Sequence, residues 1–252
     1  MIRFLEELSL SALPALETVF LDGWVLRLSH NYTRRANSIN PLYPGTRPLA
    51  DNLRDAEELY RRHSQRVVFK LTPASLPEGL DQALDAQGYA REAPTSVQTM
   101  DLSGWPTLDL ANGPVPALGR TMLREQLSNE WLKAVFTLNS VPEQHQPTLQ
   151  QILLRVAPRT CFASLTVDGQ VVTVGLGVLQ SGWLGLYDIV THPEHRGQGH
   201  ARQLISDLLA WAMSQGANSA YLQVMKNNAP ALRLYEGLGF RERYEYWYRV
   251  KG

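Results

Sequence analysis

Three β-rich runs, a loop and an amphipathic stripe follow one another between residues 160 and 216, and that order leaves the chain few folds. Residues 160–167 and Gln170–Gln180 are separated by Asp168-Gly169, a dipeptide suited to the left-handed backbone of a two-residue hairpin turn. Ser181-Gly182 turns the chain again into Trp183–Thr191. After a polar loop, apolar residues recur at Ala201, Leu204, Ile205, Leu208, Leu209 and Ala212. This is the one-sided spacing of an amphipathic helix, and Gly216 stands where such a helix ends. A strand at 219–224, a helix near Ala229–Leu238 stopped by Gly239, and a last strand at 244–250 complete an α/β fold on a mixed sheet. Ahead of the hairpin, helical periodicity runs across 121–136 and 147–156.

Residues 103–116 hold three prolines and two glycines and keep no periodic apolar face. They divide the 252 residues into a smaller N-terminal α/β domain, 1–104, a linker, 105–116, and a C-terminal domain, 117–252. In the N-terminal domain, Trp24–Leu28 and 35–39 read as strands, and Asp51 as the cap of a helix reaching about His63. A strand at 66–71, a helix at 76–86 stopped by Gly88-Tyr89, and a strand at 96–102 follow. The order strand, helix, Gly-aromatic, strand occurs in both domains, with Gly88-Tyr89 standing where Gly239-Phe240 stands. A faint tandem repeat and a coincidence of ordinary α/β order both fit that pattern.

Charge bounds the partners. The chain carries 24 basic residues, 20 of them Arg, against 24 acidic ones, so it has no overall footprint for nucleic acid or an anionic membrane. No apolar run approaches the ~18 residues of a membrane span. The start, Met1-Ile2-Arg3-Phe4-Leu5-Glu6-Glu7, is acidic and mixed where a secretory signal would be basic and then apolar, so the expected location is cytoplasmic. The single Cys161 sits in an apolar run. It reads as a structural thiol and leaves no disulfide framework or multi-cysteine metal site.

The loop Thr191-His192-Pro193-Glu194-His195-Arg196-Gly197-Gln198-Gly199-His200-Ala201 lies between a strand and the amphipathic helix. Gly197 and Gly199 allow backbone conformations and close approaches that a β-carbon would block. Successive N–H groups there can converge on phosphate oxygens at a helix N-terminus, with Arg196 and Arg202 adding charge-assisted bonds. A solvated glycine-rich turn is the alternative. Neither a Walker loop nor G-x-G-x-x-G is present. His192, His195 and His200 do not have the spacing of a metal site on such a junction; they read as solvated loop side chains, and no metal is expected.

The run Arg196-Gly197-Gln198-Gly199-His200-Ala201 is similar to the Arg/Gln-x-x-Gly-x-Gly/Ala loop of the GNAT superfamily of acyl-CoA-dependent N-acyltransferases. The run Asn228-Ala229-Pro230-Ala231-Leu232-Arg233-Leu234-Tyr235-Glu236-Gly237-Leu238-Gly239-Phe240 resembles that superfamily's N-x-x-A-x-x-L-Y-x-x-x-G-F signature. The resemblance covers roughly residues 116–252. It implies a GNAT fold in the C-terminal domain and acetyl-CoA as co-substrate, bound in a V-shaped opening between Trp183–Thr191 and the strand at 219–224. The pyrophosphate would rest on the amides of Arg196, Gly197, Gln198, Gly199, His200 and Ala201. The pantetheine arm would pair with the backbone of Ile189, Val190 and Thr191, with the Ile189 amide polarising the thioester carbonyl. Asn228 would contact the arm.

The same resemblance assigns catalytic roles. Tyr235 matches the position that in many members protonates the departing thiolate; a phenol keeps its proton at neutral pH and can donate it. From the residues alone, a core aromatic on an amphipathic helix fits Tyr235 as well. Where some members carry a Glu on the strand before the Asn motif, this chain has Gln223, which cannot act as a base. Asp188 is then the carboxylate placed to take the amine proton, its alternative being a polar residue that fixes local backbone.

Gly23-Trp24-Val25-Leu26-Arg27 and Tyr32-Thr33-Arg34-Arg35-Ala36-Asn37-Ser38-Ile39 resemble the leading domain of two-part bacterial GNAT proteins. That implies a degenerate GNAT-like N-terminal domain in tandem with the active one. The glycine loop is missing there, so no second cofactor site is expected. Arg34, Arg35 and Asn37 are candidates to bind a carboxylate or other polar group of the acceptor, an Arg-bearing edge strand being the alternative. The implied activity is transfer of an acetyl group from acetyl-CoA to a primary amine, by direct attack in a ternary complex. The acceptor would be a small molecule or a peptide; no nucleic acid or membrane partner is expected, and a homodimer is compatible. The alternatives are a non-catalytic sensor of CoA or acyl-CoA and a partner-binding scaffold.

Overall fold

A computed structural model of the chain describes residues 1–105 and 119–251. The chain divides into two compact units, Met1–Ser96 with Tyr244–Gly252, and Val97–Arg243. Most of the expected linker, 106–116, lies outside the described residues.

In the first unit, helix α1 (Ile2–Ala12) precedes strands β1 (Glu17–Leu21) and β2 (Trp24–Leu28), a 3-10 turn at Arg34–Ala36 and strand β3 (Ile39–Pro41). Helix α2 (Leu49–Arg62), strand β4 (Val68–Leu71), helix α3 (Leu80–Ala86) and strand β5 (Ala90–Asp101) follow, the last residues of β5 belonging to the second unit. β1, β2 and β3 are antiparallel neighbours, and β4 joins β3 in parallel through Ile39 and Phe69. Strand alternation puts Trp24, Leu26, Leu28, Ile39, Phe69 and Leu71 on one face, under Leu53, Ala56 and Tyr60 of α2 and Leu80 and Leu84 of α3. Lys70 of β4 forms an ion pair with Glu6 of α1, both almost wholly excluded from water, and the Tyr244 hydroxyl donates to the same carboxylate at 2.6 Å.

Two expectations for this unit change. Residues 35–39 are not one strand, because the Asn37 side chain closes a turn there. It accepts from the Ser29 and Asn31 N–H groups and donates to the carbonyls of Ser29, Tyr32 and Thr33. Asp51 lies in the first turn of α2, whose cap position is Pro48.

The second unit contains β6 (Arg120–Arg124), α4 (Asn129–Leu138), a 3-10 turn at Glu143–His145, α5 (Gln146–Leu154), β7 (Arg159–Val167), β8 (Gln170–Gln180) and β9 (Trp183–Thr191). After a 3-10 turn at Pro193–His195 come α6 (His200–Ser214), β10 (Ser219–Met225) and α7 (Ala229–Leu238). The final strand, β11 (Arg241–Val250), begins here. From Tyr244 it belongs to the first unit, where it runs antiparallel to β4 with Trp247 opposite Leu71. β6 to β9 form an antiparallel meander, and β10 pairs with β9 in parallel after the crossover through α6. Both hairpin turns take left-handed backbone at their two central residues, Asp168 (φ +48°) with Gly169 (+80°) and Ser181 (+51°) with Gly182 (+77°).

The helix expected across 121–136 is split. Arg120–Arg124 pairs with β7, and the helix begins only after Ser128, whose hydroxyl accepts the Trp131 N–H at 3.1 Å. Ladder bonds to β7 outweigh the helical spacing of those first residues. Leu204, Ile205, Leu208, Leu209 and Ala212 of α6 pack on Leu184 and Leu186 of β9 and Ala220, Leu222 and Val224 of β10, with Tyr235, Leu238 and Phe240 in the same core.

Candidate active site

The site is shaped by a fault in the sheet. Parallel pairing between β9 and β10 runs only from Trp183 opposite Ser219 to Leu186 opposite Leu222. Beyond it, on the β8 side, the register slips: Leu176 faces Tyr187 and Val174 faces Val190, so Asp188 and Ile189 together stand against Gly175. This is a β-bulge, and its extra residue, Asp188, has a positive φ of +50°. Opposite stands Gly175, where a side chain would force its neighbours to shift. A β-carbon on Gly175 would lie 2.6 Å from Ile189 Cδ1 and 2.7 Å from Leu204 Cδ2. The parallel pairing with β10 ends at Leu186, so Tyr187–Thr191 lie beyond the paired stretch. The His192 N–H donates to the Val172 carbonyl at 2.8 Å, on the β8 side. By strand alternation the Val190 N–H shares that side, and those of Thr191 and Ile189 turn toward the opening.

The loop leaving β9 ends in a donor cradle. Gly197 (φ +74°) and Gly199 (φ +89°) are left-handed, and Gly199 is the N-cap of α6, with no side chain to meet the first helical amides. The N–H groups of an α-helix's first turn have no partner within the helix. A β-carbon on Gly197 would meet nothing within 4 Å, so the space beside the loop is open. Arg196 Nε donates to the Thr191 carbonyl at 3.2 Å, holding its guanidinium by the loop, and Arg202 Nη1 donates to the Gly237 carbonyl at 3.2 Å, tying α6 to α7. Open amides, a positive helix end and two guanidiniums suit a phosphate-bearing ligand such as an acyl-CoA.

The loop histidines are not solvated as a set. His200 is 4% exposed, its Nε2 is 3.2 Å from Gln198 Oε1, and burial, then the nearby His195, lowers its pKa. His192 and His195 are half-buried.

Tyr235, on α7, is 8% exposed and stands edge-on to Phe240 at 6.0 Å between ring centroids. Burial alone pushes its pKa up to about 12. Asn228 is the N-cap of α7, its Oδ1 accepting the Ala231 N–H at 3.3 Å. Asp188 is half-buried on the bulge. Arg34 pairs with Glu92 and lies 5.6 Å from the Tyr248 ring, the Arg35 carbonyl accepts a bond from Arg27 Nη1, and the Asn37 amide is committed to its turn.

A pair not expected from sequence lies on the β9–β10 face turned away from α6. The hydroxyls of Tyr187 and Tyr221 are 2.8 Å apart and buried, and their rings meet edge-on at 6.2 Å. The signal is strand alternation: Leu184, Leu186, Ala220 and Leu222 face α6, so Tyr187 and Tyr221 must face the other way. Cys161 is fully buried, which raises its thiol to about 12 and suits a structural role. Among the described residues, no group of three or more His, Cys, Asp and Glu could hold a metal ion, and no helix is long and apolar enough to cross a membrane.

Comparison with known proteins joins this geometry to a family. The family model described as the probable histone acetyltransferase Rv0428c, C-terminal, matches residues 1–249. The uncharacterized N-acetyltransferase YobR of Bacillus subtilis is 29% identical over 250 residues, 99% of this chain and 98% of that protein. The [ribosomal protein bS18]-alanine N-acetyltransferase of Escherichia coli is 31% identical over 78 residues, 31% of this chain and 53% of the enzyme. Among solved structures, a GCN5-related N-acetyltransferase from Kribbella flavida superposes with a TM-score of 0.70 at 15% identity, over 99% of this chain and 95% of that one. A tandem GNAT protein from the clavulanic acid biosynthesis pathway gives 0.64 at 18% identity, over 85% and 75%; these likenesses show the fold. The chain therefore belongs to the Rv0428c C-terminal acetyltransferase family of the GNAT superfamily, and it is an acyltransferase.

Proposed function

We propose that the chain transfers the acetyl group of acetyl-CoA to a primary amine by direct attack within a ternary complex. The observation that carries this is the bulged end of β9 parting from β10 beside the uncapped, glycine-lined start of α6. The amides of Arg196, Gly197, Gln198, Gly199, His200 and Ala201 hold the pyrophosphate, with the Arg196 guanidinium. The backbone of Ile189, Val190 and Thr191 holds the pantetheine arm as an added strand, and the Asn228 amide group meets it across the opening.

Acetyl-CoA supplies the thioester. The amine nitrogen forms a bond to its carbonyl carbon as the carbon–sulfur bond breaks, and the Ile189 N–H holds the charge that gathers on the oxygen. An alkylammonium with an ordinary pKa near 10.4 must first lose a proton at neutral pH. Asp188 takes it, directly or through water; Gln223 on β10 has no basic lone pair to offer. Tyr235 gives its proton to the sulfur and is restored by the second proton, which the nitrogen sheds as the amide forms. Its hydroxyl feels burial and no charged neighbour, so it stays protonated until the thiolate forms.

Calorimetric titration with acetyl-CoA, joined to a thiol-release assay over a panel of primary amines, tests the reading. Saturable binding with amine-dependent thiol release is expected. No binding of acetyl-CoA in any of several buffers would end it.

A further inference from the structure

The cofactor loop carries three imidazoles that the proposed reaction does not use. Ring centroids of His192 and His195 are 5.7 Å apart and those of His195 and His200 are 5.8 Å apart, so the rings form a row from the end of β9 to the first residue of α6. Gln198 Nε2 donates to the Glu194 carbonyl at 3.1 Å, which leaves Gln198 Oε1 facing His200 Nε2. In the neutral ring Nε2 therefore carries the hydrogen and Nδ1 the lone pair. His200 Nδ1 is buried without a hydrogen-bond partner, and so is Nδ1 of His192. A buried polar atom left unpaired is rare and calls for a partner from elsewhere. Once protonated, Nδ1 becomes a donor, and the acceptor that also suits a helix N-terminus is an anion.

The charged groups on the elements packed here are Glu194 and Arg196 on the loop, Arg202 and Asp207 on α6 and Asp188 on β9. Glu236 and Arg241 flank the end of α7, where Arg202 reaches Gly237, and Arg120 of β6 adjoins Thr121, which meets Gln203. Apart from burial, His195 is the group that acts on His200, and it disfavours a second positive charge.

We propose that the His195–His200 pair takes up one proton from solvent as the pyrophosphate of an acyl-CoA settles in the cradle, so that affinity rises as pH falls from 8 to 6. The inference rests on the acetyl-CoA reading of the site. In the free protein, burial, then the nearby His195, disfavours a charge on His200. Negative charge within a few ångströms reverses that balance, and each unit by which it raises the pair's proton affinity tightens binding at the acid end by about tenfold.

Dephospho-CoA is the probe, because it keeps the pyrophosphate and lacks the 3′-phosphate, whose own titration falls in this range. Its calorimetric titration into the full chain, in two buffers of different ionisation enthalpy, counts the protons taken up. The expected result is uptake of a substantial fraction of one proton at pH 7 and about a tenfold fall in Kd from pH 8 to 6. In a His195→Gln, His200→Asn double variant both effects should vanish, whatever affinity remains. If that variant does not fold, imidazole C–H shifts of the unmodified protein give the same information; those of His195 and His200 should move toward the protonated values when the probe is added. Binding without uptake, uptake that persists in the double variant, or unmoved imidazole shifts overturns the inference and leaves the acetyl-CoA reading standing. Failure of both acetyl-CoA and dephospho-CoA to bind overturns that reading, and the inference with it.

Discussion

Gly175→Ala tests the bulge that parts β9 from β10. The added methyl would sit 2.6 Å from Ile189 Cδ1, 2.7 Å from Leu204 Cδ2 and 3.5 Å from Leu208 Cδ1. Two approaches below 3 Å cannot be relieved by one rotamer change, since Leu204 is fully buried and Ile189 stands on the bulge itself. Overpacking of this kind costs about 1–3 kcal/mol. For a protein of this size each kcal/mol moves the melting temperature by about 2–4 °C, so a fall of roughly 2–12 °C is expected. Gly177→Ala is the control. It lies on the same strand and face, but its methyl would stand 3.1 Å from Leu184 Cδ1 and Leu208 Cδ2 and 3.6 Å from Trp211 Cζ3. Shifts of a few tenths of an ångström relieve that, at a cost below about 1 kcal/mol. Because Ile189 is proposed to lead the oxyanion site, Gly175→Ala should also weaken acetyl-CoA binding, whereas Gly177→Ala should not. Thermal unfolding followed by circular dichroism and calorimetric titration would read both effects. Equal losses in the two variants, or a Gly175→Ala protein with unaltered melting and affinity, would refute the steric account of the bulge.

Tyr235→Phe should fold and bind the cofactor as the unaltered protein does, while turnover falls about a hundredfold or more; steady-state kinetics with unaltered kcat would remove Tyr235 from the mechanism. Lys70→Met leaves Glu6 as a buried charge that keeps the Tyr244 hydroxyl as a partner and should cost about 3–5 kcal/mol in urea unfolding. The Glu6→Leu, Lys70→Met double variant should recover most of that, and a double variant as weak as the single one would show that the pair does not act as a unit. Asp22 accepts from Asn52 Nδ2 at 2.8 Å and from the N–H groups of Thr46 and Arg47 at 2.8 and 2.9 Å, which hold its carboxyl well below the ordinary range. Its folded-state pKa is depressed, so its stabilisation is complete above the unfolded value near 3.9 and is lost as pH falls below that toward the folded value. Asp22→Asn should flatten this acid limb, and an identical decline of the urea midpoint with pH in both proteins would sink the assignment.

Much of the second unit is legible in its sequence because local signals agree there with the tertiary fold. Asp168-Gly169 and Ser181-Gly182 demand left-handed turns and receive them, and Trp183–Thr191 and Ala229–Leu238 form with the bounds their patterns give. The split helix at Arg120–Arg124 is not legible, since those residues become a strand only through β7, some forty positions away. The bulge is hidden for the same reason: it depends on Gly175 lying between Ile189 and Leu204, which are distant in sequence. The burial of His200 does leave a trace. With Leu204, Leu208 and Ala212 it falls on a spacing of four, so it continues the apolar stripe of α6 into the loop. β1 leaves none, because its residues are mostly exposed and show no alternation.

The strand, helix, strand order of β3–α2–β4 returns in β9–α6–β10, and in both the parallel pairing is brief, one residue pair in the first and four in the second. What differs is the group that meets the amides where the helix begins. Before α2, the Asp22 carboxylate takes the Thr46 and Arg47 N–H groups and the Asn52 amide, so negative charge is supplied from within the chain. The fit is close: a β-carbon on Gly45 would lie 2.4 Å from Asp22 Oδ2. Before α6, Gly199 has no side chain to offer and the space beside Gly197 is open. A carboxylate and a phosphate ask the same thing of backbone donors, and a site that holds one has no donors left for the other. An anion entering the first unit would have to displace Asp22 and leave its charge unpaired, whereas at the start of α6 no side chain caps the amides. On the proposed reading, then, the cofactor belongs to the second unit, because in the first the Asp22 carboxylate already takes the donors beside the helix start.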